Sequence, residues 1–279
     1  MAGFDTFAMV DWSGGNDRGP RPCADAIWAC VARRGGATGR PVYLRNRALA
    51  EDWLIRLIEA ERAAGRRLMI GFDFPFGYPR GFAAALTGRA DPLALWDWFA
   101  ARVSDAPKAN NRFDLAAEIN RRFGGRGPFW GNGLKRDIAG LPRTKRDYRN
   151  PFPDRRLAER QPQTRGSFTL WQMSGAGAVG GQVIMGLPVL ARLRHRFTGA
   201  VAAWPYEALT APVALVEIWP SLTLGRGPEG MIRDAWQVQQ VAGDLAARPE
   251  AELARLLDVT APEEGWILGL DPRLAAGGA

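Results

Sequence analysis

The sequence is poor in the residue types from which many functional sites are built. It contains one histidine, His195, and two cysteines, Cys23 and Cys30, among 279 residues. A disulfide framework is therefore excluded, and so are most zinc sites, which need several cysteine or histidine ligands. A single histidine also leaves little room for a Ser-His-Asp triad.

Long hydrophobic runs are missing as well. No stretch of about 18 apolar residues occurs, so we expect no membrane-spanning helix and no membrane partner. The first residues lack the basic and apolar regions of a signal peptide, which favours a cytoplasmic protein. Apolar residues make up 47% and charged residues 24%, close to globular averages, so a wholly disordered chain is excluded.

Lysine is scarce, and its placement is uneven. All three lysines, against 34 arginines, lie within residues 108–165. This segment holds 15 Lys and Arg against 6 Asp and Glu, so it accounts for the whole of the chain's net charge of +8. Such asymmetry favours a phosphate-bearing substrate, with nucleic acid, a small nucleotide and a phosphorylated metabolite all left open. The alternative interpretation is an Arg-rich surface that contacts only solvent.

Four residues of this basic segment are predicted to bind the substrate. Lys145, Arg146 and Arg149 lie in a loop dense with positive charge, where they would contact phosphates. Trp130 lies in a glycine-rich stretch of the same segment, and its ring would stack on a base. The other interpretation of Trp130 is a packing residue.

Hydrophobic patterning predicts a single α/β domain over residues 1–279. Three antiparallel strands precede parallel strands in one mixed sheet, with helices on both faces. Residues 80–175 form a helical and loop-rich insertion, which is basic over 108–165. The predicted strands are 6–12, 24–33, 41–44, 68–73, 200–204 and 213–219, and the main predicted helices are 47–64, 113–123, 178–196, 229–247 and 249–257.

Acidic residues stand at the ends of three predicted strands. Asp11 ends the first strand, Asp73 ends the continuously apolar strand, and Glu217 lies near the end of a later one. Asp234 begins the last long helix. The carboxyl ends of parallel strands meet at one edge of an α/β sheet, where ligands bind. Converging carboxylates repel each other unless a cation neutralises them, and Mg²⁺ or Mn²⁺ suits such oxygen ligands. We therefore predict these four acids as metal ligands and catalytic residues.

Two alternatives to this carboxylate site stay open. Glu207 follows Pro205-Tyr206 and competes with Glu217 as the third carboxylate. Each acid taken singly is also explained as a strand-end or turn residue whose carboxylate accepts hydrogen bonds from backbone amides.

The sequences around the four acids resemble one family, the domain-of-unknown-function family of predicted ribonuclease H-like nucleases. The resemblance covers residues 5–78 and 178–247, and it implies a ribonuclease H-like fold with a metal site held by carboxylates. The chain departs from the family pattern in its long basic insertion and in an additional strand near 201–204. The matching motifs are Val10-Asp11-Trp12-Ser13, Asp73-Phe74-Pro75-Phe76-Gly77, Glu217-Ile218-Trp219-Pro220-Ser221 and Arg233-Asp234-Ala235.

Two glycine-containing stretches favour contact with an anion. Ser13 opens the turn Ser13-Gly14-Gly15 after the first strand, and we predict that it binds substrate. Gly177 lies in a Gly-x-Gly-x-x-Gly stretch before a predicted helix, whose N-terminus would contact an anionic substrate. A dinucleotide-binding fingerprint is disfavoured here because no acid follows about 20 residues later. Close helix–sheet packing is the other explanation of these glycines.

The sequence thus predicts a metal-dependent hydrolase of a phosphodiester. An actin-like ATP-dependent phosphotransferase and a non-catalytic protein that binds a phosphorylated ligand are the alternatives. The phosphotransferase needs a second nucleotide-binding half, and only about 80 residues follow residue 197. Length therefore favours the hydrolase.

Overall fold

Six strands form one mixed sheet in the computed structural model, which describes residues 3–225, 227–261 and 263–278. Their order across the sheet is β3-β2-β1-β4-β8-β7, and a short separate hairpin pairs β5 with β6. Numbered along the chain, the strands are β1 (Thr6–Asp11), β2 (Trp28–Arg33), β3 (Val42–Tyr43), β4 (Leu68–Phe72), β5 (Asp105–Ala106), β6 (Ala109–Asn110), β7 (Val201–Ala203) and β8 (Val213–Glu217).

The pairing of the strands confirms the predicted mixed sheet. β1, β2 and β3 pair antiparallel, and β1, β4, β8 and β7 pair parallel. The two central strands β1 and β4 are almost wholly buried, which explains their continuously apolar sequences. The hairpin β5–β6 lies within the predicted insertion and was not predicted.

Seven α-helices accompany the strands within the described residues. The first begins where the Asn46 side chain accepts a hydrogen bond from the Leu49 amide at 3.0 Å, which is a regular N-cap. The helices are α1 (Arg47–Ala63), α2 (Phe82–Thr87), α3 (Pro92–Ala100), α4 (Arg112–Arg122), α5 (Gly180–Arg196), α6 (Arg233–Ala247) and α7 (Glu250–Leu257).

The two faces of the sheet are covered by different helices. Ala8 and Val10 of β1 point into a core that includes side chains of α1, α3 and α5. Phe7 and Met9, which alternate with them, point into a second core with α6 and α7. This alternation decides on which face each strand-end acid emerges.

The chain between β4 and α5 packs into the first of these cores rather than apart from it. Phe82 and Trp171 lie with their ring centroids 5.1 Å apart, and Phe129 packs on Trp171 at 5.2 Å. Tyr78 is buried among the same rings. This aromatic cluster fixes the long connection against the sheet. None of the helices in the described part of the chain has the length and apolar character needed to cross a bilayer.

Close packing of α5 on the β4 turn predicts the effect of one glycine substitution. A Cβ at Gly186 would lie 2.4 Å from the buried Phe74 ring. We expect Gly186→Ala to lower the free energy of unfolding by about 1–3 kcal/mol through overpacking, although alanine is the better helix former. Urea denaturation measures the change. Gly225→Ala is the control, because a Cβ there meets open space, and equal stability of both variants would contradict the packing.

Candidate active site

Asp11 and Asp73 emerge side by side from the two central parallel strands. Val10 pairs with Phe72 in the sheet register, so the two acids occupy the next position on each chain. By strand alternation they lie on the face covered by α6. The backbone amide of Trp12 donates to Oδ1 of Asp73 at 2.7 Å, which fixes the Asp73 carboxylate against the end of β1.

Asp234 reaches the same place from the first turn of α6, where the helix dipole favours a negative charge. Its Oδ2 accepts a hydrogen bond of 2.9 Å from the backbone amide of Asp25. Asp25 adopts a φ of 54°, a conformation uncommon outside glycine, and its side chain is exposed. This hydrogen bond holds the loop before β2 beside Asp234, and Asp25 adds a further carboxylate to the lining of the same cleft.

The three predicted acids act on one another electrostatically. Burial raises the pKa of Asp11 well above its ordinary value, and the charges of Asp73 and Asp234 raise it further. Burial also raises the pKa of Asp73 to about 6, although a hydrogen bond with Asp11 opposes this shift. The pKa of Asp234 is raised as well, mainly by burial. Full ionisation of this group at neutral pH is therefore costly unless a cation compensates it.

Asp11 and Asp234 line a cleft of about 670 Å³ between the end of β1 and the beginning of α5, and Asp73 lies beside Asp11 at the end of the neighbouring strand. The buried guanidinium of Arg47 holds the loop after β1 by donating to the carbonyl oxygens of Ser13, at 2.9 Å, and Gly15. Nε2 of Gln182 donates to the Trp12 carbonyl at 2.8 Å and ties this loop to α5. These hydrogen bonds tie the loop after β1 to both α1 and α5.

The structure places Ser13 in the cleft wall and Gly177 outside it. Oγ of Ser13 donates to the Asp25 carbonyl at 3.0 Å and accepts from the Gly15 amide, so its hydroxyl braces the loop. Gly177 has a φ of 71°, and a Cβ there would lie 2.2 Å from the Phe168 ring. Packing thus explains Gly177, while the cleft wall nearby is formed by Ser174 and Gly175.

The structure places Glu217, which the sequence predicts as a metal ligand, apart from Asp11 and Asp73. Glu217 pairs with Phe72 in the register, so its side chain emerges on the opposite face from Asp11 and Asp73. It is 2% exposed, and its carboxylate accepts from the Phe76 amide at 2.9 Å and from both terminal nitrogens of Arg156. Glu217 therefore belongs to a buried ion-pair network that ties the insertion to the sheet.

Its competitor Glu207 is also occupied elsewhere. Arg194 donates two hydrogen bonds to the Glu207 carboxylate, at 2.6 and 3.0 Å, and the Ala203 amide donates a third at 3.0 Å. The carboxylate holds the end of α5 against β7. Neither glutamate lines the cleft.

The basic segment brings two of its predicted substrate residues together. Nζ of Lys145 lies 5.3 Å from the ring centroid of Trp130 and 5.1 Å from that of Tyr148. Lys145 therefore covers part of the ring that the sequence predicts as a stacking platform. The loop of Trp130 adjoins the cleft, because Oγ of Ser174 donates to the Gly131 carbonyl at 2.6 Å.

Only part of the charge of this segment is neutralised locally. Arg136 pairs with Asp114 at 2.6 Å, and Arg143 pairs with Asp137 at 2.8 Å. Arg146 and Arg149 are exposed, and within the described chain no carboxylate lies at ion-pair distance from either. These two arginines are available to a phosphate-bearing ligand.

Sequence reasoning missed most of the polar residues that line the cleft, among them Asp25, Gln182 and Arg112. Asp25 lies in a loop with no periodic pattern, and Gln182 is a single polar residue near the beginning of a helix. Arg112 is one arginine among 34. No local signal distinguishes these residues, because their role depends on which loops the fold brings together.

The donor chemistry of the acids fits a hard cation. In the part of the chain that the structure describes, no three His, Cys, Asp or Glu side chains are arranged as a formed metal site. Mg²⁺, however, is usually held by one or two carboxylates together with waters and substrate phosphates. Asp11 and Asp73, at the ends of neighbouring parallel strands, supply such a pair, and the charge of Asp73 raises the pKa of Asp11.

A scan of protein-family models, a search of curated proteins and a search of solved structures each found no match to this chain. A proposal about the function is therefore argued from the geometry of the cleft.

Proposed function

We propose that the chain is a Mg²⁺- or Mn²⁺-dependent hydrolase of a phosphodiester, built on a ribonuclease H-like core. One observation carries the proposal: Asp11 and Asp234 line one open cleft, Asp73 lies beside Asp11 at the end of the neighbouring strand, and all three have raised pKa values. Clusters of carboxylates with perturbed pKa values are typical of functional sites.

The strand order supports the ribonuclease H-like core. A meander of three antiparallel strands is joined at β1 by the parallel strands β4 and β8, and helices cover both faces. The acids come from β1, from the end of β4 and from the helix after β8, three of the four positions that the family resemblance implies. The extra edge strand β7 and the buried Glu217 are features of this chain.

The roles of the residues follow from their positions. Asp11 and Asp73 would hold the cation, with Asp234 as a further ligand or as the acceptor of a water proton. When bound, the cation supplies a Lewis acid for the phosphate and lowers the pKa of a water. Ser13 and the backbone of its turn line the space beside the carboxylates, where they would orient the phosphodiester.

The chain should therefore cleave a phosphodiester in the presence of Mn²⁺ and leave ATP unchanged. The protein is incubated with single-stranded and structured nucleic acids, cyclic dinucleotides and ATP, and the products are resolved by chromatography. We expect Asp234→Asn to reduce cleavage at least tenfold, because it removes one charge from the cluster. Asp244→Asn, an exposed acid on the same helix α6, is the matched control and should keep full activity.

Two outcomes would contradict this proposal. Consumption of ATP that depends on Asp11, with every phosphodiester intact, would favour the phosphotransferase. Binding of a phosphorylated ligand without turnover of any substrate would favour the non-catalytic binding protein.

A further inference from the structure

Arg112 places a cation in the same cleft as the carboxylates. It is the first residue of α4, which begins directly after the hairpin β5–β6. Its side chain is half-buried and lines the cleft together with Asp11, Asp234 and Gly181. Burial, together with the charge of Arg47, lowers the pKa of Arg112 to about 10, so the guanidinium stays charged at neutral pH.

The Arg112 guanidinium has few partners of its own. Nη1 donates to Oδ1 of Asn110 at 2.7 Å, and the group packs 4.6 Å from the ring centroid of Phe113. Asp105 attracts Arg112 at longer range, but Arg47 occupies both of its carboxylate oxygens at 2.6 Å. Among the residues that the structure describes, no carboxylate forms an ion pair with Arg112.

A partly desolvated guanidinium that has no carboxylate partner is costly. Arginine carries five N–H donors in a fixed plane, and this geometry matches two oxygens of a phosphate. The cost is offset when an anion enters the cleft and accepts the remaining hydrogen bonds. The carboxyl groups of Asp11 and Asp234 line the same cleft, so this anion would be bound together with a cation.

The first turn of α5 lies directly against the Arg112 side chain. A Cβ at Gly181 would lie 3.4 Å from Cδ and Nε of Arg112, which places the beginning of α5 beside the Arg112 side chain. Gly181 is the second residue of a 17-residue helix, whose N-terminal amides carry partial positive charge. Two independent sources of positive potential therefore meet in one wall of the cleft.

We propose that Arg112 and the first turn of α5 form a phosphate-binding subsite, which holds the non-bridging oxygens of the substrate phosphate. This inference deepens the proposed function, on which it rests for the reaction, but binding of the phosphate itself requires neither the metal nor turnover. It assigns Arg112 a direct contact with the substrate and sets the position of the phosphate relative to the carboxylates.

The test measures binding of inorganic phosphate to the full chain with EDTA present, in a buffer of low chloride. Isothermal titration calorimetry gives Kd, and the phosphate-dependent rise in melting temperature checks it. We expect Arg112→Gln to raise Kd at least tenfold. Arg112→Lys, which keeps the charge but not the planar fork, should raise it about threefold or more. Arg122→Gln, at the exposed end of the same helix, is the matched control and should stay within twofold of wild type.

Several results would overturn the subsite. The first is a Kd within twofold of wild type for Arg112→Gln. The second is an equal loss of phosphate binding in Arg122→Gln, which would indicate non-specific attraction. If circular dichroism finds Arg112→Gln unfolded, Arg112→Lys decides alone, and an unchanged Kd there rejects the proposal.

The phosphate subsite and the metal site can fail separately. Asp11→Asn should bind phosphate at least as tightly as wild type in EDTA, because it removes a repelling charge. Loss of phosphate binding in the Arg112 variants supports the subsite even when no phosphodiester is cleaved. Cleavage that depends on Asp11, together with unchanged phosphate binding by Arg112→Gln, supports the hydrolase and rejects the subsite.

Discussion

The melting temperature of Asp11→Asn is expected not to rise when Mn²⁺ or Mg²⁺ is added, whereas that of the wild-type protein rises. A ligand that binds only the native state stabilises it by mass action, by about 2.7 kcal/mol at one hundred times Kd. Asp11 stands at the centre of the carboxylate group, because the charges of both Asp73 and Asp234 act on it. An isosteric amide removes the charge and keeps the shape, so the variant should fold and lose cleavage by at least a thousandfold.

The same variant should change how stability depends on pH. In the folded protein the pKa of Asp73 is raised from 3.8 to about 6, and that of Asp11 is raised well above 3.8. Between the pKa of an aspartate in the unfolded chain and its raised pKa in the folded protein, the native state holds a proton that the unfolded chain has released. For Asp73, the metal-free protein therefore loses stability as pH rises from about 4 to about 6, and Asp11 contributes in the same direction. Metal competes with these protons, and its stabilising effect should grow over the same range. In Asp11→Asn the loss of stability should be smaller, because the carboxyl with the largest shift is gone.

Differential scanning fluorimetry between pH 4 and pH 8, with and without Mn²⁺, measures both effects. Asp244→Asn is again the control, since its carboxylate is exposed and belongs to the far end of α6. A metal-dependent rise in Asp11→Asn equal to that of the wild type would show that the cation binds elsewhere and would remove the basis of the proposed function.

Replacing Arg156 with Met is expected to destabilise the protein by about 3–5 kcal/mol. Arg156 has no exposed surface, and its guanidinium donates to the carboxylates of both Glu159 and Glu217. Nη1 also donates to the Glu264 carbonyl at 2.9 Å. Removal of this cation leaves two buried carboxylates facing each other in a region of low dielectric constant. This uncompensated charge, rather than the lost packing, dominates the cost.

Urea denaturation of the Arg156→Met and Arg155→Met proteins separates this effect from a general loss of charge. Arg155 is the exposed neighbour, which donates to the Ser167 carbonyl at 2.7 Å, and its loss should cost less than about 1 kcal/mol. Glu217→Gln should lower stability and leave the Mn²⁺-dependent rise in melting temperature unchanged. Loss of that rise in a folded Glu217→Gln protein would show that Glu217 takes part in metal binding.

The sequence alone was enough to predict the mixed sheet and two of its strand-end acids. Strands β1 and β4 are continuously apolar because both of their faces are buried, and each is followed or ended by an aspartate. Since parallel neighbours end at the same edge, the strand pattern was sufficient to predict that Asp11 and Asp73 lie close together. The placement of Asp234 at the beginning of α6 also followed from the helical pattern.

Tertiary structure alone decided which face of the sheet each acid occupies and what surrounds it. A strand reverses the direction of its side chains at every residue, so a difference of one position in register separates Glu217 from Asp11 and Asp73. Arg156, the ion-pair partner of Glu217, is 61 residues away in sequence, and Arg112 and Gly181 are in contact although almost 70 residues separate them. Local pattern encodes burial and periodicity, whereas contacts between distant loops depend on how the long connection folds back over the sheet. For this reason the strand-end acids were predictable from the sequence, and the arginines that neutralise or accompany them were not.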